Sequence, residues 1–317
     1  SGAKLAPDPH QERYRMQPEI TWRNWMMVGL LGLIWGSSFM VVEIALAGIT
    51  PFWLAASRVT FGSLLTVGVW LLSGRRFFLT HKTAWPSIFV IGILSSALPF
   101  SLLSWGQTHV TSGFAGVSMA SIALLVLPLS HFFIPGEKMT VRRTFGFLMG
   151  FVGVAILIGP EAFSPSGSEL ELFGRLFCVL AASCYAISSV LIRRLPPIDP
   201  LGLAAIPLMI GALTSLGFAY SVEGAPPQIS SQTLFIILYL GLVPTAGANL
   251  LRILTIRSAG PVFMSLTNYQ VPLWSVVLGI LVLGEAPRQN LLLAMALILF
   301  GLCLSQYGAL KRLFRGN

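Results

Sequence analysis

Charged side chains are scarce in this sequence: 10% of its 317 residues are Asp, Glu, Lys or Arg, where a soluble domain carries roughly 25%. So few cannot cover a water-exposed surface, which excludes an ordinary soluble globule. Aspartate is scarcer still. The two present, Asp8 and Asp199, lie outside the long apolar runs, which excludes an intramembrane hydrolase built on paired aspartates. There is no His-Glu-x-x-His and no Gly-rich loop ending in Gly-Lys-Ser/Thr, which removes a zinc hydrolase and a nucleotide-driven pump. Cys178, Cys184 and Cys303 are odd in number and sit in apolar runs, so they do not read as a disulfide framework. His109 and His131 stand alone near opposite span ends, too isolated for a metal site. Neither an enzyme, a metal nor a cofactor is expected.

Long apolar runs are abundant instead. Of all residues 55% are hydrophobic, and the mean hydropathy is +0.81. A hydrocarbon core of ~30 Å needs ~20 residues at 1.5 Å each. Runs near that length cover 25–46, 51–73, 85–105, 111–133 and 143–160, then 174–193, 199–220, 231–251, 259–283 and 289–307. None alternates with the two-residue period of a barrel strand. The reading is an all-α membrane protein of ten transmembrane helices. A tail over 1–24 precedes a five-helix unit over 25–160; a second unit over 174–307 precedes a tail over 308–317. The polar, basic start reads as a retained tail and not as a cleaved leader. The net charge of +9 does not indicate nucleic-acid binding, because the basic residues are scattered over short loops. They indicate topology. With both termini cytoplasmic, 17 of the 20 Lys and Arg fall inside and only Arg288 outside, while Arg58 and Arg175 lie within or at the edge of spans.

The two units repeat each other. Gly136-Glu137 closes the fourth span and Gly284-Glu285 the ninth, 148 residues apart. Pro51 and Pro200 each open a second helix, and Gly153 matches Gly301. Five spans per unit is an odd number, so the second copy enters the membrane from the opposite side. The repeat is therefore inverted, an architecture suited to exchanging inward-open and outward-open states.

Trp35-Gly36-Ser37-Ser38-Phe39 in helix 1, Arg58 in helix 2, and Pro-Gly-Glu (135–137) and Leu-Gly-Glu (283–285) together resemble the ten-helix EamA-type members of the drug/metabolite transporter superfamily. Among these the chain looks most similar to bacterial exporters of aromatic amino acids. The resemblance implies a carrier in the bacterial inner membrane, with a central cavity formed by helices 1, 3, 4, 6, 8 and 9, and with helices 5 and 10 peripheral. Its partners would be a small-molecule substrate and lipid, with no nucleic acid, and it would act as a monomer. The small four-helix relatives carry a central carboxylate for proton exchange; this sequence has none, which leaves facilitated diffusion open.

Polar side chains within spans are costly unless they face a cavity or another helix. Ser265, Asn268, Pro272 and Ser275 share one stripe of helix 9, matched in helix 4 by Ser118, Ser121, Leu125 and Pro128. They read either as paired cavity walls or as small-residue packing. Ser95, Ser96, Pro99 and Phe100 in helix 3 match Pro244, Thr245, Ala248 and Asn249 in helix 8. Trp35 with Ser38 matches Tyr185 with Ser188. The candidate cavity is thus Trp35, Ser38, Ser95, Pro99, Phe100, Met119, Ser121, Tyr185, Ser188, Thr245, Asn249, Asn268 and Tyr269, with hinges at Pro99, Pro128, Pro244 and Pro272. Glu43 and Arg58, near the same membrane face, read as structural charges that pair with each other or snorkel outward. Glu137 and Glu285 read as capping or turn residues. The function expected is export of aromatic or other neutral amino acids; alternatives are efflux of cationic compounds, or a channel or scramblase.

Overall fold

A computed structural model describes residues 20–74, 84–135, 138–158, 169–196, 198–286 and 288–315. Among these there are ten helical spans and no strand. They are α1 (Trp22–Leu46), α2 (Pro51–Leu72), α3 (Trp85–Gly106), α4 (Ser112–Phe133), α5 (Val141–Ile158), α6 (Glu169–Arg194), α7 (Pro200–Glu223), α8, α9 (Thr267–Leu283) and α10 (Gln289–Arg315). The long α8 is built of Ser231–Leu240, Gly241–Gly247 and Ala248–Met264. Side chains such as Leu72, Phe132, Phe235 and Leu281 are largely exposed on the outside of this bundle, as expected of a surface that lipid covers. Glu43 lies toward one end of the bundle and Lys138 at the other.

Helix starts follow local chemistry. Thr21 and Asn24 form a reciprocal cap at α1. Proline occupies the first position of α2 and α7, where no N–H is required. Asp199 accepts from the Leu201 and Gly202 N–H groups at α7, and Ser230 accepts from Thr233 at α8. At α2 the cap comes from elsewhere in the chain. The Glu223 carboxylate at the end of α7 accepts from Thr50 Oγ1 (2.6 Å), Phe52 N (3.1 Å) and Trp53 N (3.0 Å).

Three boundaries differ most from the sequence reading. The eighth helix does not stop near 251 but runs to Met264, and the ninth begins at Thr267 instead of 259. Arg252, Arg257 and Ser258 resemble a loop in sequence, yet Ser258 Oγ accepts from Asn24 Nδ2 of α1 at 2.7 Å, and α1 packs beside it through Val28, Ala259 and Phe263. The tenth helix also continues past 307, through the segment read as a tail, to Arg315.

The inverted repeat is visible in the packing. In α3 a wide π-helical turn covers Ile93–Ala97, and in α8 another covers Gly241–Gly247. Proline lies next to or within each, and the N–H after each turn bonds five residues back, Leu98 to Ile93 and Ala248 to Val243. Each wide turn packs on the second helix of the other half. Gly62 of α2 meets Thr245, where an added Cβ would lie 2.7 Å from Cγ2; 149 positions further on, Gly211 of α7 meets Ser96. Gly241 lies against the Arg58 carbonyl and Gly92 against that of Pro207, at 2.9 and 2.8 Å from an added Cβ. Arg58 and Pro207 are thus equivalent positions. The fifth helices of the two halves, α5 and α10, pack on each other through glycine, with a Cβ on Gly146 falling 2.5 Å from the Gly301 carbonyl.

Candidate functional site

Where the two halves cross, the wide turn of α8 organises a polar and aromatic cluster. Pro244 has no N–H for the Leu240 carbonyl four residues back, and the Thr245 hydroxyl donates to that carbonyl at 2.8 Å. The same hydroxyl accepts from Arg58 Nε at 2.9 Å. Asn249 Nδ2 donates to the Thr245 carbonyl at 2.7 Å. The Pro244 carbonyl accepts from the Trp35 indole N–H of α1 at 3.0 Å. The Arg58 guanidinium lies 4.5 Å from the centre of the Phe100 ring, and Phe100 meets Tyr185 of α6 edge-on at 6.4 Å and 85°. Side chains from α1, α2, α3, α6 and α8 therefore converge on one place. Arg58 is seven residues into α2, about 10 Å from its end, and only 7% of it is exposed.

The sequence left Glu43 and Arg58 either pairing with each other or snorkelling outward, and they do not pair. Glu43 Oε2 accepts from the Ser112 N–H at the start of α4 (3.0 Å). Glu285 reaches the same place: its carboxylate accepts from Ser112 N (2.8 Å), Ser112 Oγ (2.5 Å) and Gly113 N (3.1 Å). Gly284, in the left-handed region at φ 69°, turns the chain so that Glu285 folds back there. Both acids thus stabilise the positive end of α4, and neither approaches Arg58. The matching Glu137 lies outside the described residues.

The other candidates divide. Trp35, Phe100, Tyr185, Thr245 and Asn249 belong to the Arg58 cluster. Ser95 is half-buried within the α3 turn, and Pro99 is buried just after it. Met119 packs at the edge of the same apolar core as Trp35 and Tyr185. The hydroxyls of Ser38, Ser121 and Ser188 donate to carbonyls of their own helices, at 2.7, 2.6 and 3.0 Å. Ser118 and Ser275 do the same, and Ser275 is packed against Gly116. Ser275 thus joins α9 to α4 on the Glu43 side of the bundle. Pro128 and Pro272 lie inside α4 and α9 without breaking either.

The late start of α9 also moves the stripe once placed at mid-membrane. Ser265 is in the turn before α9 and donates to Gln306 Oε1 at 3.0 Å. Asn268 is the second residue of α9 and exposed at the Lys138 end. The Tyr269 hydroxyl is buried, in reach of Cys303 on α10 and apart from the Arg58 cluster. Residues not singled out from sequence as part of a site are Ser112, Glu223 and Gln270. Gln270 fills the space left by Gly32; small residues at 32 and 36 were the available signal. No group of three His, Cys, Asp or Glu that could hold a metal occurs among the described residues. A shallow apolar recess of about 560 Å³ between α1 and α8, lined by Val41, Phe235 and Tyr239 among others, opens on the outside of the bundle.

Comparison with known proteins agrees with this architecture. The EamA-like transporter family profile matches residues 23–159 and 172–307, one match per half. The uncharacterized transporter YoaV of Bacillus subtilis is 24% identical over 291 residues, covering 90% of this chain and 98% of YoaV. The uncharacterized inner membrane transporter YedA of Escherichia coli is 26% identical over 286 residues, covering 88% and 89%. A WAT1-related chloroplastic protein of Arabidopsis thaliana, At3g02690, is 24% identical over 84% of this chain and 65% of its own length. A protein with a solved crystal structure, 20% identical, superposes with a TM-score of 0.62 over 90% of this chain and 98% of that one, and so shares the fold. With both halves matched and ten helices arranged as an inverted pair, this multi-pass membrane protein belongs to the EamA-like transporter family.

Proposed function

We propose that the chain exports neutral amino acids, aromatic ones first, by alternating access across a bacterial inner membrane, with both termini and the Lys138 end in the cytoplasm. One observation carries this reading: Trp35, bonded to the Pro244 carbonyl, and the Phe100–Tyr185 pair beside Arg58 gather around the turn that holds Thr245 and Asn249, where helices of both halves cross. Aromatic rings supply a large contact area for a flat apolar side chain, while the hydroxyl and amide suit the polar groups of an amino acid. The Gly116–Ser275 and Ser112–Glu285 contacts close the Glu43 end, as one state of such a cycle requires. Efflux of cationic compounds is disfavoured, because the charge at the cluster is itself positive.

Proteoliposomes loaded with labelled phenylalanine, tryptophan or threonine provide the test. Saturable flux accelerated by unlabelled substrate on the opposite side is expected. Failure with all three sinks the amino-acid reading, and linear flux without counterflow would indicate a channel or scramblase.

A further inference from the structure

Arg58 is a buried cation whose surroundings do not neutralise it. Its partners among the described residues are the Thr245 hydroxyl, through Nε, and the Phe100 ring face. Neither carries a negative charge, and no described side chain or carbonyl accepts from the two Nη groups. The carboxylates that could reach into the bundle are engaged elsewhere: Glu43 and Glu285 on α4, Glu223 on α2, Asp199 on α7, and Glu171 with Arg175 and Arg288. A charge at mid-span costs roughly 2.5–3.5 kcal/mol even on insertion scales.

The repeat provides an internal control for a packing role. The twin contact between α7 and α3 uses the same glycines, Gly211 and Gly92, with Pro207 where α2 has Arg58. It closes as tightly without any charge, so the helix contact does not require arginine. One half of the protein carries the cation and the other does not. The charge therefore answers to something outside the repeat, and the groups beside it are the Phe100 ring and the phenols of Tyr185 and Tyr239. Arg58 is fixed at Nε, so its two Nη groups form a held fork, the geometry that binds a carboxylate through paired hydrogen bonds.

We infer that Arg58 is the receptor for the carboxylate of the transported molecule, an organic monocarboxylate with an aromatic or apolar body that packs against the aromatic side chains beside it, Phe100 and Tyr185. The inference rests on the proposed amino-acid export for its choice of probe, and the test separates the two. Purified wild-type protein is titrated with labelled phenylalanine against three competitors: unlabelled phenylalanine, 3-phenylpropionate, which lacks the amine, and phenylalaninamide, which lacks the carboxylate. The amide should bind about 10- to 150-fold more weakly than the acid, the range of a hydrogen bond to a charged group. 3-Phenylpropionate should compete. Arg58→Gln should abolish this preference, and Arg58→Lys should restore part of it. Wild-type affinities require no variant to fold. Should direct titration show binding of 3-phenylpropionate but not phenylalanine, amino-acid export fails and the receptor role stands. If the amide matches the acid, or neither acid binds, the receptor role is overturned.

Discussion

Gly116 of α4 is the place where the closed Glu43 end is most sensitive to one added carbon. A Cβ there would collide with the Ser275 side chain of α9 and come within 3.3 Å of Phe39 of α1. Three helices meet at this point, so the methyl of Gly116→Ala has nowhere to go unless Ser275 or the helices move. Overpacking of this kind costs about 1–3 kcal/mol. At a tenfold change per ~1.4 kcal/mol, the closed arrangement should lose about 5- to 150-fold in relative population. The measurement is labelling of Val276→Cys, a position buried at this contact, by a membrane-impermeant thiol reagent applied from the Glu43 side. Cys178, Cys184 and Cys303 are replaced by alanine in the background. Labelling should accelerate by the same factor in Gly116→Ala, and turnover should fall. Adding Ser275→Gly removes the colliding side chain and should restore both, apart from about 1 kcal/mol of helix propensity. Unchanged labelling in Gly116→Ala, or no rescue in the double variant, refutes the reasoning.

Three further outcomes are expected. Gly301→Ala places a methyl 2.7 Å from the Gly150 amide nitrogen of α5; because backbone cannot step aside, it should cost about 3 kcal/mol or more, seen as lower thermal stability in detergent with an unchanged KM in the folded fraction. Thr245→Val leaves both the Leu240 carbonyl and Arg58 Nε without their partner, a loss of about 1–3 kcal/mol that Thr245→Ser should largely reverse in the same melting assay. Glu285→Ala removes three acceptor contacts from the start of α4 and should lower stability by about 1–3 kcal/mol, with Glu285→Gln intermediate.

The ten spans and the inverted repeat were legible because run length and a fixed offset are properties of the chain itself. Pro99 and Pro244 likewise announced backbone irregularity, since a missing N–H is visible in sequence. What could not be read was where polar groups find partners far away in the chain. Glu43 and Arg58 share a membrane face, and nearness along the axis suggested a pair; the free N–H groups of α4, 69 residues from Glu43, captured the carboxylate. The polar stretch from Arg252 to Ser258 looked like a loop because its helix is completed by contacts with α1. That one misplaced boundary carried Asn268 and Ser265 from the end of α9 to its middle. Serine stripes posed the same difficulty: a hydroxyl that bonds its own helix, as in Ser118 and Ser121, is indistinguishable in sequence from one that lines a path.

The glycine seam between α5 and α10 has a mechanical consequence. At Gly146, Gly150 and Gly301 main chain rests directly on main chain, with little room to absorb a shift. A joint of that kind resists shear and tolerates only a small rotation about its own line. If the two halves rock against each other, this seam is their fulcrum, and the largest displacements fall at the far side of the bundle. A disulfide across the seam should leave the cycle running, whereas one across the α4–α9 contact should stop it.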